Sequence, residues 1–337
     1  MKTSAILKNN DVSQRMKTSA ILKNKDASQK LIIVGALILL VIFFSIMNKS
    51  YVSYDNIMTI LLATCVNGLL AIGVSFVIIT GGIDISVGTI MTFSCVMSGT
   101  AFTVWGWPIW LAILFGFFIG ALCGAINGFA VTKMMLPPFI ATMAMMMITK
   151  GLSLVISGIK PVYFTKAANY QKIAIGEFLG IKGFYNAIII LIVIGILAHI
   201  LFSRTLIGRY DLAIGSNEEA ARLSGINVVK WKIAIYSLCG LFCGVAGLIM
   251  SSRLNSAQPQ LGAGYELEAI AAAVIGGNSL NGGEGSIVGT MIGALIISSL
   301  TNGLRIMAVS TEIQSAIVGL VLALAVFLDQ MRKKKGN

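Results

Sequence analysis

Along the chain, long apolar runs alternate with short polar or glycine-rich breaks. The runs cover 31–47, 57–80, 87–105, 108–131, 137–157, 185–203, 233–251, 267–280, 287–307 and 311–328. A helix needs about 20 apolar residues to cross the hydrocarbon core, so the pattern predicts an all-α polytopic membrane protein with about ten transmembrane helices. Two runs are weaker: 87–105 is rich in Ser, Thr and Gly, and 267–280 is short and bounded by glycines. Both are candidates for broken or re-entrant segments, which are tolerated only where protein or a water-filled cavity satisfies the freed backbone groups.

Composition agrees. Of 337 residues, 57% are hydrophobic and 11% charged, and the mean hydropathy is +0.90, which excludes a water-soluble globule. The net charge of +12 raises the question of nucleic acid, but its location answers it. Most of the excess lies in residues 1–30, in 204–232 and in the tail from Asp329, where Arg332, Lys333, Lys334 and Lys335 follow one acid. All three segments flank apolar runs, the bias of cytoplasmic loops. Both termini and the 204–232 loop are therefore expected in the cytoplasm, and no nucleic-acid footprint is expected. The longest outer loop, 158–184, carries Lys160, Lys166, Lys172 and Lys182, in mild conflict with that topology.

The chain divides into an arm (1–30), a membrane domain (31–328) and a basic tail (329–337). The arm repeats itself: residues 1–15 return at 16–30 with changes only at Asn10/Lys25, Val12/Ala27 and Arg15/Lys30. Each copy begins with Met, so Met16 is an alternative start. Gly116, Gly120, Gly124 and Gly128 recur every fourth residue, as do the pairs Gly240/Gly244 and Gly289/Gly293, a spacing that lets helix backbones approach closely.

Chemistry concentrates in three breaks. The first, RYDLAIGSNEEAARLSGINVVKWK (Arg209 to Lys232), reads as a short cytoplasmic helix at about 214–226. Ser216 and Glu219 have capping-box spacing, and Gly225 is placed to close the helix in a left-handed conformation. So short a helix is marginal alone and needs a surface to pack on, either a partner or its own membrane domain. The second break, TGGIDISVG (Thr80 to Gly88), presents Asp84 where an apolar run stops. The third, YELEAIAAAVIGGNSLNGGEGSIVG (Tyr265 to Gly289), sets Asn278 among glycines that permit non-helical backbone. Asn67, Asn127, Asn278 and Asn302 interrupt apolar runs and either line a polar path or bond helix to helix.

Other chemistry is absent from the sequence. There is no GxxxxGK[ST] loop, no catalytic constellation is recognisable, and His199 is the sole histidine. Cys65, Cys95, Cys123, Cys239 and Cys243 all fall in apolar runs, so neither a disulfide framework nor a metal site is expected, and no cofactor. Enzyme activity is not expected. An ATP-driven permease, an ion-coupled carrier of a small polar solute and a membrane scaffold remain distinct readings. The carrier is the weaker transporter reading, because ionisable residues fall mostly near predicted span ends.

IGSNEEAARLSGINV, TGGIDISVG and the run from RLNSAQPQ to TMIGAL together resemble the permease subunits of bacterial ABC importers for ribose-type monosaccharides, over about residues 31–330. The resemblance implies that fold, a second permease subunit, a cytoplasmic ATPase, an extracytoplasmic sugar-binding protein and the bacterial inner membrane. Permeases for galactose, xylose and sugar-like signals such as autoinducers share the motifs. It implies that Ser216, Asn217, Glu218, Glu219, Ala220, Ala221, Arg222 and Gly225 form the ATPase-docking segment, and that Gly81, Gly82, Asp84, Ser86 and Gly88 belong to the path or gate.

Overall fold

The computed structural model describes residues 31–334; the duplicated arm and the end of the basic tail lie outside the described residues. The helices follow the apolar runs: α1 (Leu31–Met47), α2 (Tyr54–Ile79), α3 (Val87–Thr103), α4 (Ile109–Thr132), α5 (Pro138–Ser157), α6 (Lys172–Ile175), α7 (Asn186–Arg204), α8 (Leu206–Ser216), α9 (Glu218–Leu223), α10 (Val228–Leu254), α11 (Tyr265–Ile275), α12 (Ile287–Ile306) and α13 (Thr311–Lys334). Seven of them, α2, α4, α5, α7, α10, α12 and α13, are long and apolar enough to cross a membrane. Helices α1, α3 and α11 are shorter. Helix α13 runs on past the predicted boundary at 328.

Helix α2 is the centre of the molecule. At 26 residues it spans about 39 Å, and 94% of its most apolar window is buried, as expected of a helix that is hydrophobic all round. Helices α7, α10, α11 and α12 pack around it. By contrast, α4, α5 and α7 bury about a third or less of their apolar windows, leaving outer faces of Leu, Ile, Phe and Met suited to lipid.

The glycine stripes set the closest crossings within the chain. A Cβ on Gly124 would overlap the Tyr236 carbonyl, and one on Gly120 the Gly240 carbonyl, so α4 and α10 meet backbone to backbone. Gly289 and Gly293 do the same for α12 against Ala272 of α11 and Gly276 that caps it. Lipid offers no hydrophobic drive for helices to associate, so close van der Waals packing supplies the attraction.

At the end remote from α9, the 158–184 segment is built rather than loose. Strand β1 (Val162–Tyr163) pairs antiparallel with β2 (Ser256–Ala257). Phe164 stacks on Tyr170 at 4.2 Å, whose hydroxyl lies 2.7 Å from Ser251 Oγ. Ser252 Oγ donates to the Tyr170 carbonyl and accepts from the Ala174 amide. These bonds fasten the segment to the last turns of α10.

Candidate functional site

The segment 206–224 folds as two helices, not one. Helix α8 continues through Ser216, so the predicted Ser216–Glu219 capping box does not form. Asn217 caps α9 instead, its Oδ1 accepting from the Ala220 amide at 2.9 Å. The correction has a packing cause: a Cβ on Gly215 would overlap the Ile79 carbonyl, and that close approach sets the end of α8 against the end of α2. Asn is as good an N-cap as Ser, so the cap moves one residue. Gly225 takes φ +85° and closes α9 as expected.

Helix α9 packs on its own chain. Ala221 is buried with Ile214 and Val228, backed by Tyr210 and Trp231, whose rings meet edge to face at 4.9 Å. Glu218 bonds Lys232 at 2.6 Å and Arg222 at 3.1 Å. Lys232 foremost, with Arg222, holds the Glu218 carboxyl below the usual carboxylate range, so this pairing is intact at neutral pH and is lost only as the pH falls through that lowered value. Glu219, Ala220, Arg222 and Ser224 stay exposed, and Leu223 is 83% exposed at the tip. A large apolar side chain bared among charges is the kind of anchor a partner buries.

The three breaks meet behind this helix. The Gly283 amide donates to the Ile79 carbonyl at 2.9 Å, the same carbonyl that Gly215 presses against. Gly283 lies against Ser216, and Gly282 lies between the backbones of Gly215 and Gly81. Gly282 and Gly283 have φ of +82° and +76°, a conformation open to glycine at little cost. The α8–α9 junction, the end of α2 and the 276–285 loop thus share one backbone contact. At its far end the TGGIDISVG segment touches the stretch just before the third break, since Gly88 and Gly262 each exclude a Cβ on the other.

Between those ends Asp84 is fully buried. It accepts from the Ser86 amide (2.8 Å) and hydroxyl (2.5 Å), and Asn127 Nδ2 donates to Ser86 Oγ (2.9 Å) and weakly to Asp84 (3.4 Å). Thr142 Oγ1 of α5 accepts from the Ile85 amide at 3.3 Å. The Tyr236 hydroxyl and Asn127 Oδ1 are buried beside this group without hydrogen-bond partners among the described residues. Gly82 faces that hydroxyl, and Gly81 takes φ +78°.

Asn278 forms a second, separate group. Its Nδ2 donates to Ser75 Oγ (2.8 Å), Thr290 Oγ1 (2.7 Å) and the Ala273 carbonyl (2.9 Å), while Oδ1 accepts from the Ser286 amide (2.8 Å). One side chain therefore joins α2, α11 and α12. Replacing Asn278 with alanine removes its bonds to Ser75 and Thr290 and leaves the Ser286 amide without its acceptor, an unmade bond that costs about 1–3 kcal/mol. A lowered detergent melting temperature is expected, with serine recovering little of it. Asn67 and Asn302 join neither group. Both polar atoms of the Asn67 amide and Oδ1 of Asn302 are buried without partners among the described residues.

Sequence reasoning missed α8 and Tyr236. The one available signal for Tyr236 is a tyrosine in mid-span, whose hydroxyl normally requires a partner.

The chain matches the family model described as branched-chain amino acid transport system / permease component over residues 56–326. It is 46% identical over 300 residues to the ribose import permease protein RbsC of Bacillus subtilis (strain 168), covering 88% of this chain and 91% of that one. Against RbsC of Escherichia coli (strain K12) identity is 40% over 303 residues, covering 88% and 92%. The fructose import permease protein FrcC of Rhizobium meliloti is 36% identical over 299 residues, covering 88% and 83%. With seven helices able to cross a membrane and a family match over most of its length, the chain belongs to the branched-chain amino acid transport system / permease component family.

Proposed function

We propose that this chain is the membrane-spanning permease subunit of an ATP-driven importer of a monosaccharide, with ribose first among the candidates. A separate cytoplasmic ATPase drives it, an extracytoplasmic sugar-binding protein feeds it, and a second permease subunit completes the path in the bacterial inner membrane. Both termini and α9 face the cytoplasm, α1, α3 and α11 join the seven long helices in a ten-helix arrangement, and α3 and α11 cross only part of the bilayer. The relatives' named substrates, ribose and fructose, support a sugar.

The physical demand is plain. Each sugar hydroxyl stripped of water without replacement costs several kcal/mol in an apolar medium, so the path must supply hydrogen-bonding groups and open to one side at a time. Asn67, Asn127 and Asn302 keep unpartnered buried amide atoms, which suits them to line or border that path beside Gly81, Gly82, Asp84, Ser86 and Asn278.

One observation carries the reading: the backbone junction of Ile79, Gly215 and Gly283. Any movement imposed on α9 passes through α8 to the end of α2 and to both glycine-rich breaks. The ATPase therefore grips α9, and the junction turns that motion into reorientation of the Asp84 segment.

The test is reconstitution of the chain in lipid vesicles with a cytoplasmic ATPase and a sugar-binding protein of a ribose importer. Labelled ribose should accumulate only with hydrolysable ATP on the α9 side, and a panel of unlabelled pentoses and hexoses in competition identifies the sugar. Uptake by the chain alone, driven by a proton or sodium gradient, would establish the ion-coupled carrier instead.

A further inference from the structure

Asp211 is the one charged-type residue of α8 with no visible reason to be where it is. Its side chain is fully buried, and neither carboxylate oxygen has a hydrogen-bond partner among the described residues. A buried ionised carboxylate without partners is strongly disfavoured and normally neutralises instead.

The surroundings sharpen the point. Gly208, Asp211 and Gly215 lie three and four residues apart, on one face of α8. Gly208 is pressed against the Phe202 carbonyl in the last turn of α7, and Gly215 against the Ile79 carbonyl at the last residue of α2. Asp211 thus sits between the carbonyl ends of two helices, where the macrodipole repels an anion. A protonated carboxyl is an O–H donor suited to such a place; an ionised one is not.

Charged neighbours offer no relief. The elements packed against α8 carry His199 and Arg204 on α7, Glu218, Glu219 and Arg222 on α9, Lys230, Lys232, Tyr236, Cys239, Cys243 and Arg253 on α10, Tyr54, Asp55 and Cys65 on α2 and Glu284 in the 276–285 loop, with Arg209 and Tyr210 on α8 itself. None of these forms an ion pair or hydrogen bond with Asp211, and Lys232 and Arg222 are engaged by Glu218. Burial alone pushes the Asp211 carboxyl well above its ordinary value.

We infer that Asp211 is a proton-operated latch: held neutral, it lets α8 seat against the ends of α2 and α7, and its ionisation frees α8 and carries α9 away from the bundle. The placement stands on packing alone, while its bearing on transport rests on the reading of α9 as the docking helix. The linkage has a definite sign. A carboxyl whose value is raised in the folded state binds its proton more tightly there, so seating is favoured at low pH and lost as the pH rises above the ordinary carboxylate range and through the raised value.

The test uses the full-length chain in nanodiscs, without ATPase, so that its outcome is independent of the docking proposal. Spin labels at Leu223→Cys on α9 and Met134→Cys beyond the end of α4 report their separation; both native side chains are exposed, and the five native cysteines are buried. At about pH 5.5 a single separation is expected, and towards about pH 9 a second, longer one that grows several-fold. Asp211→Asn, close in shape and never charged, should keep the single separation at both values. It should also raise the melting temperature by a few degrees at the higher pH and change it little at the lower. A wild-type separation that ignores pH would overturn the latch. So would an Asp211→Asn variant that tracks the wild type, or one that loses stability at both values.

Discussion

Reversing the charge of both Glu218 and Glu219 is expected to reduce ATP-driven uptake at least tenfold, a loss of about 1.4 kcal/mol or more in coupling, while the protein still inserts and folds. The two residues contribute differently. Glu218 ties α9 to Lys232 on the first turn of α10, so a lysine there sets two like charges together and loosens the helix from its own bundle. Glu219 is exposed and does no such work. Glu219→Lys alone should therefore impair ATPase binding without shifting the melting temperature, and Glu218→Lys should do both. Pull-down of the ATPase beside uptake and thermal melts separates the terms. Full transport by the double variant would remove α9 from the mechanism.

Leucine at Gly124 is expected to have the largest effect on the fold itself. Its Cβ would fall on the Tyr236 carbonyl, a backbone atom that cannot rotate away, so α4 and α10 would have to separate along their closest crossing. Overpacking typically costs about 1–3 kcal/mol, and this site belongs at the upper end because the obstacle is main chain on both sides. Poor recovery of folded protein from detergent is expected. Leucine at Gly151, where nothing approaches within 4 Å, should be tolerated. Equal behaviour of the two variants would show that the stripe does not set the α4–α10 distance.

How much of this was legible beforehand follows from the physics of each element. Apolar runs reveal spans because lipid demands them, and each of the ten predicted runs contains a helix. Their inner and outer faces were not legible. An all-apolar α2 and an all-apolar α4 look alike in sequence, yet one is central and the other buries only about a third of its apolar window, because no polar face is needed where the solvent is itself apolar. Helix α8 was missed because its run is broken by Gly208, Asp211 and Gly215, residues that normally argue against a helix interior. Tertiary contact with the carbonyls of Phe202 and Ile79 explains both glycines. The cap of α9 was misplaced by one residue for the same reason. The Asn278 group was invisible because Ser75 lies 203 residues away, and only the folded chain brings them together. The three breaks themselves were evident from glycine and charge, but not that they share one junction.

The central claim is that an outside motor grips this permease at α9. A cysteine at Leu223, an exposed position at the tip of that helix, joined by a short thiol crosslinker to the ATPase in the assembled transporter, tests it directly. The account predicts an efficient crosslink that changes in yield when ATP binds, and none from a cysteine at Val104 or Leu179, exposed positions at the opposite end. A crosslink from Val104 or Leu179 but not from Leu223 would contradict it.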